Sequence, residues 1–259
     1  MNAQKCAYRR VLLKLSGEAL AEKKIIVENG IEKEEVSEIF DEKKLQIISA
    51  AVKKALDMGV QMGIVIGAGN IWRGKLGVNV TRARADHMGM LATTINCLRF
   101  QDALEKVGVD AKVMTAIPMN GFTETFQFKN AIEYMENSTP VIFAGGIGIP
   151  YVSTDTATVV RACEIQADMI LMAKSVDGVY DKNPSVHKDA KKYKKVSYDI
   201  CLQKKLGATD ITASALAEEQ HINSYIFDLA DPENIVRVAA GEEIGTLVTY
   251  EKMEEPIYY

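Results

Sequence analysis

Four segments of this 259-residue chain combine backbone-exposing glycines with hydroxyl or basic side chains: Lys14 to Gly17, Gly67 to Gly74, Ala144 to Thr154 and Ala173 to Asn183. Each follows an apolar run that reads as a buried strand. Small residues at the carboxyl ends of strands let amide N–H groups and helix amino termini face an anion, and an open α/β sheet binds its ligands along that edge. Four such segments point to two phosphorylated ligands brought together, which is the arrangement a phosphate transfer requires.

Lys14 ends a buried strand, where an ammonium is costly unless an anion such as a phosphate meets it. The plain alternative is a lysine that snorkels to solvent at the sheet edge. Gly67-Ala68-Gly69-Asn70-Ile71-Trp72-Arg73-Gly74 lacks the third glycine of a dinucleotide fingerprint, because Trp72 stands there. It is also not a P-loop, since Leu76 replaces the hydroxyl that would hold Mg²⁺. An amide-rich turn with Arg73 remains, suited to phosphate or simply a turn with a surface arginine.

Gly145-Gly146-Ile147-Gly148-Ile149-Pro150-Tyr151-Val152-Ser153-Thr154-Asp155 joins a strand to a helix and is the best acceptor site. Glycine backbone, two hydroxyls and a helix dipole converge there on the place of a monophosphate, and Tyr151 offers a face to a base. In Asp177-Gly178-Val179-Tyr180-Asp181-Lys182-Asn183, Tyr180 can lie along an adenine that Asn183 hydrogen-bonds. Asp86, at a helix start, is either a cap or an acceptor for ribose hydroxyls, and Asp210 is either an N-cap or catalytic. His87, His187 and His221 lack metal-ligand spacing, so no metal site is expected.

These segments need a scaffold that puts strand ends on one edge. Helices are expected within 41–59, 85–107, 131–137, 154–167, 210–220 and 232–240. Strands are expected at 11–15, 60–66, 111–115, 140–144, 169–172, 223–227 and 246–250. The alternation predicts an α/β fold, a three-layer α/β/α sandwich with a mostly parallel central sheet. Residues 22–44 interrupt it with a charged excursion, where Asn29-Gly30 supplies the turn of a hairpin after Ile25, Ile26 and Val27. The methionines of the long helix, Met88 and Met90, are expected in the core, and Lys188 to Lys195 as a solvated loop.

The length allows one large domain or two small ones, and a single domain over residues 1–259 is favoured. A net charge of −4 argues against nucleic acid. Four dispersed cysteines fit a reducing compartment, the amino terminus shows no signal pattern, and no apolar run is long enough to span a bilayer. A cytoplasmic protein with no membrane partner is the expectation.

With these residues in view, the chain resembles the bacterial uridylate kinases of the amino acid kinase superfamily. The likeness runs through Lys14-Leu15-Ser16-Gly17-Glu18-Ala19-Leu20, Gly69-Asn70 with Arg73-Gly74, and most specifically Ala85-Asp86-His87-Met88-Gly89-Met90-Leu91-Ala92-Thr93. It continues in Ala116-Ile117-Pro118-Met119, Thr154-Asp155-Thr156-Ala157, Val176-Asp177-Gly178-Val179-Tyr180 and Gly245-Thr246-Leu247-Val248.

The resemblance implies transfer of the γ-phosphate of ATP to UMP. Lys14, Leu15, Ser16, Gly17, Gly69 and Arg73 would bind ATP phosphates, and Lys174, Tyr180 and Asn183 its base and ribose. Ala68, Asp86, Ile147, Gly148, Ile149, Pro150, Tyr151, Val152, Ser153 and Thr154 would hold UMP, and Lys14, Arg73 and Asp210 would be catalytic, with Asp210 orienting Lys14. Mg²⁺ would come with ATP, UTP would inhibit by feedback, and six copies would assemble. Against the family pattern, Gly146-Ile147-Gly148-Ile149 replaces Gly-Thr-Gly-Asn, so phosphate contacts there are expected from backbone. Ala173-Lys174-Ser175 replaces Ala-Thr-Lys, Ala68 stands where glycine is common, and residues 22–30 lack the glycine-rich segment associated with GTP activation. A carboxylate or carbamate kinase, or a nucleotide-storing assembly without turnover, is the alternative.

Overall fold

The run Arg10–Leu15 forms β1, buried at all six positions, because both of its faces are covered. Val11, Leu13 and Leu15 enter one apolar core and Leu12 the other, the two-residue alternation of a strand between two helical layers. The structure, a computed structural model, describes residues 6–28, 31–72, 79–207 and 209–259. A single 3₁₀ turn, Gly17–Leu20, follows β1. Then come β2 (Glu22–Glu28), β3 (Ile31–Glu38), α1 (Glu42–Asp57), β4 (Gln61–Ile66), α2 (Arg82–Lys106), β5 (Lys112–Thr115), β6 (Glu124–Thr125), α3 (Phe128–Glu136) and β7 (Val141–Ala144). The carboxyl part holds α4 (Thr154–Glu164), β8 (Met169–Lys174), β9 (Tyr193–Ser197), α5 (Tyr198–Gln203), α6 (Ile211–Glu219), β10 (Ser224–Asp228), α7 (Glu233–Ala239), β11 (Thr246–Thr249) and β12 (Ile257–Tyr258).

The main sheet has ten strands in the order β12-β9-β11-β10-β8-β1-β4-β7-β5-β6. The pairs β10–β11 and β9–β12 are antiparallel and the other neighbours run parallel, so the mostly parallel three-layer expectation holds. Residues of α1, α2 and α7 close the core on one face; α3, α4, α5 and α6 close the other. The strand order changes direction at β1, which lies between β4 and β8, and such a switch point opens a crevice at the strand carboxyl ends. Lys14 sits at the end of that strand.

The excursion is a hairpin, β2 paired with β3 apart from the main sheet, with its Asn29-Gly30 turn outside the described residues. Two expectations need correction. Tyr193–Ser197 is a strand rather than part of a solvated loop, and Tyr193 within the lysine run is wholly buried. The lysines mask a strand whose Tyr193, Val196 and Ser197 are buried while Lys194 and Lys195 are half-exposed. On α2, Met90 is buried but Met88, Leu91 and Ile95 are 37%, 55% and 48% exposed. The inward face of that helix carries Thr93, Thr94 and Asn96 as well as Cys97 and Phe100, because it must hydrogen-bond loops as well as fill space.

Candidate active site

Glycine at position 17 is what lets the first two phosphate-type segments meet. A Cβ there would lie 2.4 Å from the Gly67 carbonyl oxygen, 2.6 Å from Asn70 Oδ1 and 2.8 Å from the Gly69 amide nitrogen. The contact with Gly67 and Gly69 is backbone against backbone, with no flexible atom to move aside. Gly67 N donates to the Leu15 carbonyl at 3.0 Å, which locks the two turns together. Asn70 and Asn96 exchange amide hydrogen bonds of 3.0 and 2.8 Å, and Asn96 Nδ2 also donates to the Gly67 carbonyl at 2.7 Å. Both asparagines are buried, so this network fixes the Gly67 turn from behind.

The long glycine loop is held in the same way. Gly145, Gly146 and Gly148 have φ of 73°, 59° and 84°, a region that side chains disfavour, which explains three glycines in four positions. Gly145 N donates to Thr93 Oγ1 at 3.0 Å, and the buried Arg161 reaches the Gly146 carbonyl at 3.2 Å. Tyr151 also has a positive φ, 69°, and its amide donates to Asp86 Oδ2 at 2.8 Å. Asp86 accepts from Arg82 as well and lies inside α2, whose N-cap is Thr81, so its carboxylate steadies the loop and is not a cap.

Ser153 is the N-cap of α4, accepting from Thr156 N at 3.0 Å, and its own hydroxyl donates to Asp210. Thr156 Oγ1 donates to the same carboxylate at 3.2 Å, while Asp210 caps α6 through Ala213 N at 2.9 Å. Asp210 therefore clamps two helix amino termini side by side. Just past the loop, Asp155 receives Lys14 Nζ at 2.8 Å and Lys174 Nζ at 3.5 Å, so two ammoniums share one carboxylate. Burial works to raise the Asp155 carboxyl, but the Lys14 and Lys174 charges outweigh it and hold it below the usual carboxylate range. Lys174 moves down from the usual lysine range, chiefly through burial, against the pull of Asp155. The Asp155 shift favours the charged pair and the Lys174 shift opposes it. The contact of Asp155 with Lys14 is short and almost solvent-free, which strengthens the attraction that holds this carboxyl down.

The predicted residues do not fall into a single pocket. Ala68, Asp86, Ile147, Ile149, Val152 and Thr154 line one cavity of about 170 Å³, with Gly69 and Trp72 in its wall. Gly148, Pro150, Tyr151 and Ser153 shape the loop beside it, and the Tyr151 side chain is 70% exposed with Arg82 near its ring. Ser16 and Lys174 border a cavity of about 520 Å³ on the α1 and α7 side. Tyr180 and Asn183 border another of about 430 Å³ toward Lys204 to Gly207. Leu15 is wholly buried and offers no side chain to a ligand. Arg73 lies outside the described residues. The carboxylate on Lys14 is that of Asp155 rather than Asp210, the partner that the resemblance implies, so the ammonium at the strand end already has an anionic partner. Thr93, Asn96 and Asp155 carry roles that sequence reading missed; polar residues on a helix face opposite a glycine loop were the available signal.

An open α/β sheet with amide-rich loops, helix termini and a buried ammonium on one strand-end edge defines a phosphate-handling protein of the doubly wound type. Residues 9–228 match the amino acid kinase family model, and the chain belongs to that family. It is 35% identical to a UMP kinase from Bacillus anthracis, with 97% of this chain and 99% of that one covered at a TM-score of 0.85. It is 33% identical to a UMP kinase from Ureaplasma parvum, covering 93% and 98% at a TM-score of 0.84. A uridylate kinase from Archaeoglobus fulgidus shares the fold at 22% identity and a TM-score of 0.67.

Proposed function

We propose that this chain transfers the γ-phosphoryl group of ATP to UMP, giving ADP and UDP. The observation that carries the proposal is the 2.8 Å contact of Lys14 with Asp155. It sets the ammonium ending β1 beside the first turn of α4, where the glycine loop delivers amides. Donor and acceptor phosphates held by these two features are within reach of each other, and the repulsion between them is what the site must offset.

In this reading Lys14 leaves Asp155 for the transferring phosphoryl oxygens, and Asp155 keeps the ammonium aimed at the cleft until they arrive. Gly17 and Gly69 bring amide nitrogens to the donor phosphates, and Ser16, Lys174, Tyr180 and Asn183 border the remainder of ATP. The cavity lined by Asp86, Ile147 and Thr154 takes UMP, with Asp86 facing the ribose. Asp210 acts by holding the α4 and α6 termini against each other. No covalent nucleophile takes part. Mg²⁺ enters with ATP. Mg²⁺ commonly keeps phosphate and water ligands rather than a dedicated protein cage. Bound there, the ion neutralises charge on the phosphates.

The proposal extends to a single domain, a cytoplasmic place in pyrimidine nucleotide synthesis, feedback inhibition by UTP and assembly of six copies. No helix of the described residues is long and apolar enough to cross a membrane. The outward stripe Met88, Leu91 and Ile95 on α2 supports self-association. Relatives matching almost the whole chain are named UMP kinases, which disfavours the storage assembly and the carboxylate or carbamate kinase. A coupled assay of ADP release with UMP, CMP, aspartate and carbamate as acceptors tests the reading. UMP should be the acceptor that turns over, and absence of UDP would overturn it.

A further inference from the structure

Beside the cavity bordered by Tyr180 and Asn183 runs a chain of contacts that ends far from it in sequence. Tyr180 Oη donates to Asp177 Oδ1 at 2.8 Å, and Lys192 Nζ meets Asp177 Oδ2 at 3.1 Å. Lys192 is bridged backbone to backbone with Tyr180, and its stem would lie 3.1 Å from a Cβ at Gly178, so glycine there admits the lysine. The ammonium of Lys192 then rests 4.4 Å from the centre of the Tyr259 ring.

Tyr259 is itself pinned. Its hydroxyl donates to the carbonyls of Glu243 at 3.0 Å and Gly245 at 2.7 Å, and its amide donates to the Lys192 carbonyl at 3.3 Å. The preceding β12 pairs with β9, and Tyr258 packs on the buried Tyr193 with ring centres 4.7 Å apart. Gly245 has no room for a side chain, since a Cβ there would sit 2.0 Å from the Ile226 carbonyl oxygen. Tyr259 borders none of the cavity, yet its ring holds a cation that holds a carboxylate that holds the cavity's aromatic wall.

We propose that Tyr259 is a positioning residue for the nucleotide base: through Lys192 and Asp177 it fixes the orientation of Tyr180. This rests on the ATP reading above, in which Tyr180 faces the base. The consequence is specific to one substrate. Loosening the ring should weaken ATP and leave UMP, bound beyond Lys14 and Asp155, untouched.

The test measures KM for each substrate and kcat in Tyr259→Ala, Tyr259→Phe, Tyr180→Phe and the Tyr259→Ala/Tyr180→Phe double variant. Binding of a non-hydrolysable ATP analogue is followed by calorimetry, with Tyr180→Ala added. For Tyr259→Ala, KM for ATP should rise about two- to fivefold, the scale of one exposed cation–π contact, with kcat and KM for UMP unchanged. Tyr259→Phe keeps the ring and should fall between this variant and wild type. With Tyr180→Phe the hydroxyl link is gone, so adding Tyr259→Ala should bring no further rise. A change in melting temperature without a change in KM for ATP, equal rises for both substrates, or multiplying effects in the double variant would each overturn the proposal. If Tyr180→Ala binds the analogue as wild type does, the base assignment of that cavity falls as well. If Tyr180→Ala loses the analogue and Tyr259→Ala does not, only the Tyr259 link is wrong.

Discussion

The two ends of the proposed nucleotide site hold lysine–aspartate pairs of very different exposure. At the transfer end Lys14 and Asp155 have side chains only 10% and 18% exposed, behind glycine turns that touch backbone to backbone. At the base end Asp177 and Lys192 stand 49% and 21% exposed, on a loop between β8 and β9. A pair at contact distance is worth about 1 kcal/mol in water and about 4 kcal/mol near a shielded protein surface. On the proposed reading, the buried pair governs chemistry and stability together, while the exposed one adjusts affinity. This difference teaches where substitutions should be severe and where they should be graded.

The sharpest way to break the comparison is Lys14→Ala. Losing a preorganised cation at the developing charge should lower kcat by about 10²–10³-fold, while circular dichroism still reports a folded chain. Activity equal to wild type would mean that the transfer end has been misplaced. Gly17→Ala comes next. An added methyl 2.4 Å from the Gly67 carbonyl must push two turns apart, and we expect a loss of about 3 kcal/mol in urea unfolding, the upper range for overpacking. A wild-type melting curve would show that the turns are looser than the contact implies.

Asp155→Asn tests the electrostatic half of the same end. It leaves Lys14 and Lys174 facing each other without their carboxylate, at a cost of about 3 kcal/mol near neutral pH. The sign follows from the lowered Asp155 carboxyl: stability from a depressed acid is present above its unfolded value, about 4, and is lost as pH falls through the folded value. The gap between wild type and variant should accordingly close on acidification below about pH 4. A gap that stays constant with pH would assign the loss to packing instead.

The parts legible in sequence are those written locally. The buried run of β1, the glycines of the long loop and the cap Asp210 each follow from a few neighbouring residues. The pairing of Lys14 with Asp155 is not local; it needs α4 to cross over β1, and only the assembled sheet specifies that. Asn96 and Thr93 read as unremarkable polar positions on a long helix, because nothing in the helix shows that two loops lack donors and acceptors. Likewise β9 is hidden among half-exposed lysines while Tyr193 turns inward.

Asn96→Ala probes that hidden support. The buried Gly67 carbonyl and Asn70 Oδ1 would each lose a donor, so about 2 kcal/mol of stability should go, with KM for ATP rising as the turn relaxes. This effect belongs between the two ends: structural in origin, yet read out at the phosphates.

Asp177→Asn should produce the smallest effect, and it sets the scale of the base end. Burial tends to raise this carboxyl, but hydrogen bonds from Tyr180 and Lys192 hold it below the usual range, while burial and the same bond push the Tyr180 phenol up to about 12. An asparagine keeps the shape and one acceptor but drops the charge, so the pair with Lys192 weakens without orphaning a buried group. Half-exposed pairs contribute about 0–1 kcal/mol, and global stability should move by less than that. Because the interaction is solvent-screened, whatever rise in KM for ATP appears at low ionic strength should shrink as salt increases, whereas the Lys14→Ala defect should not respond. A salt-independent Asp177→Asn defect as large as that of Lys14 would erase the distinction between the two ends and make the cleft electrostatically uniform.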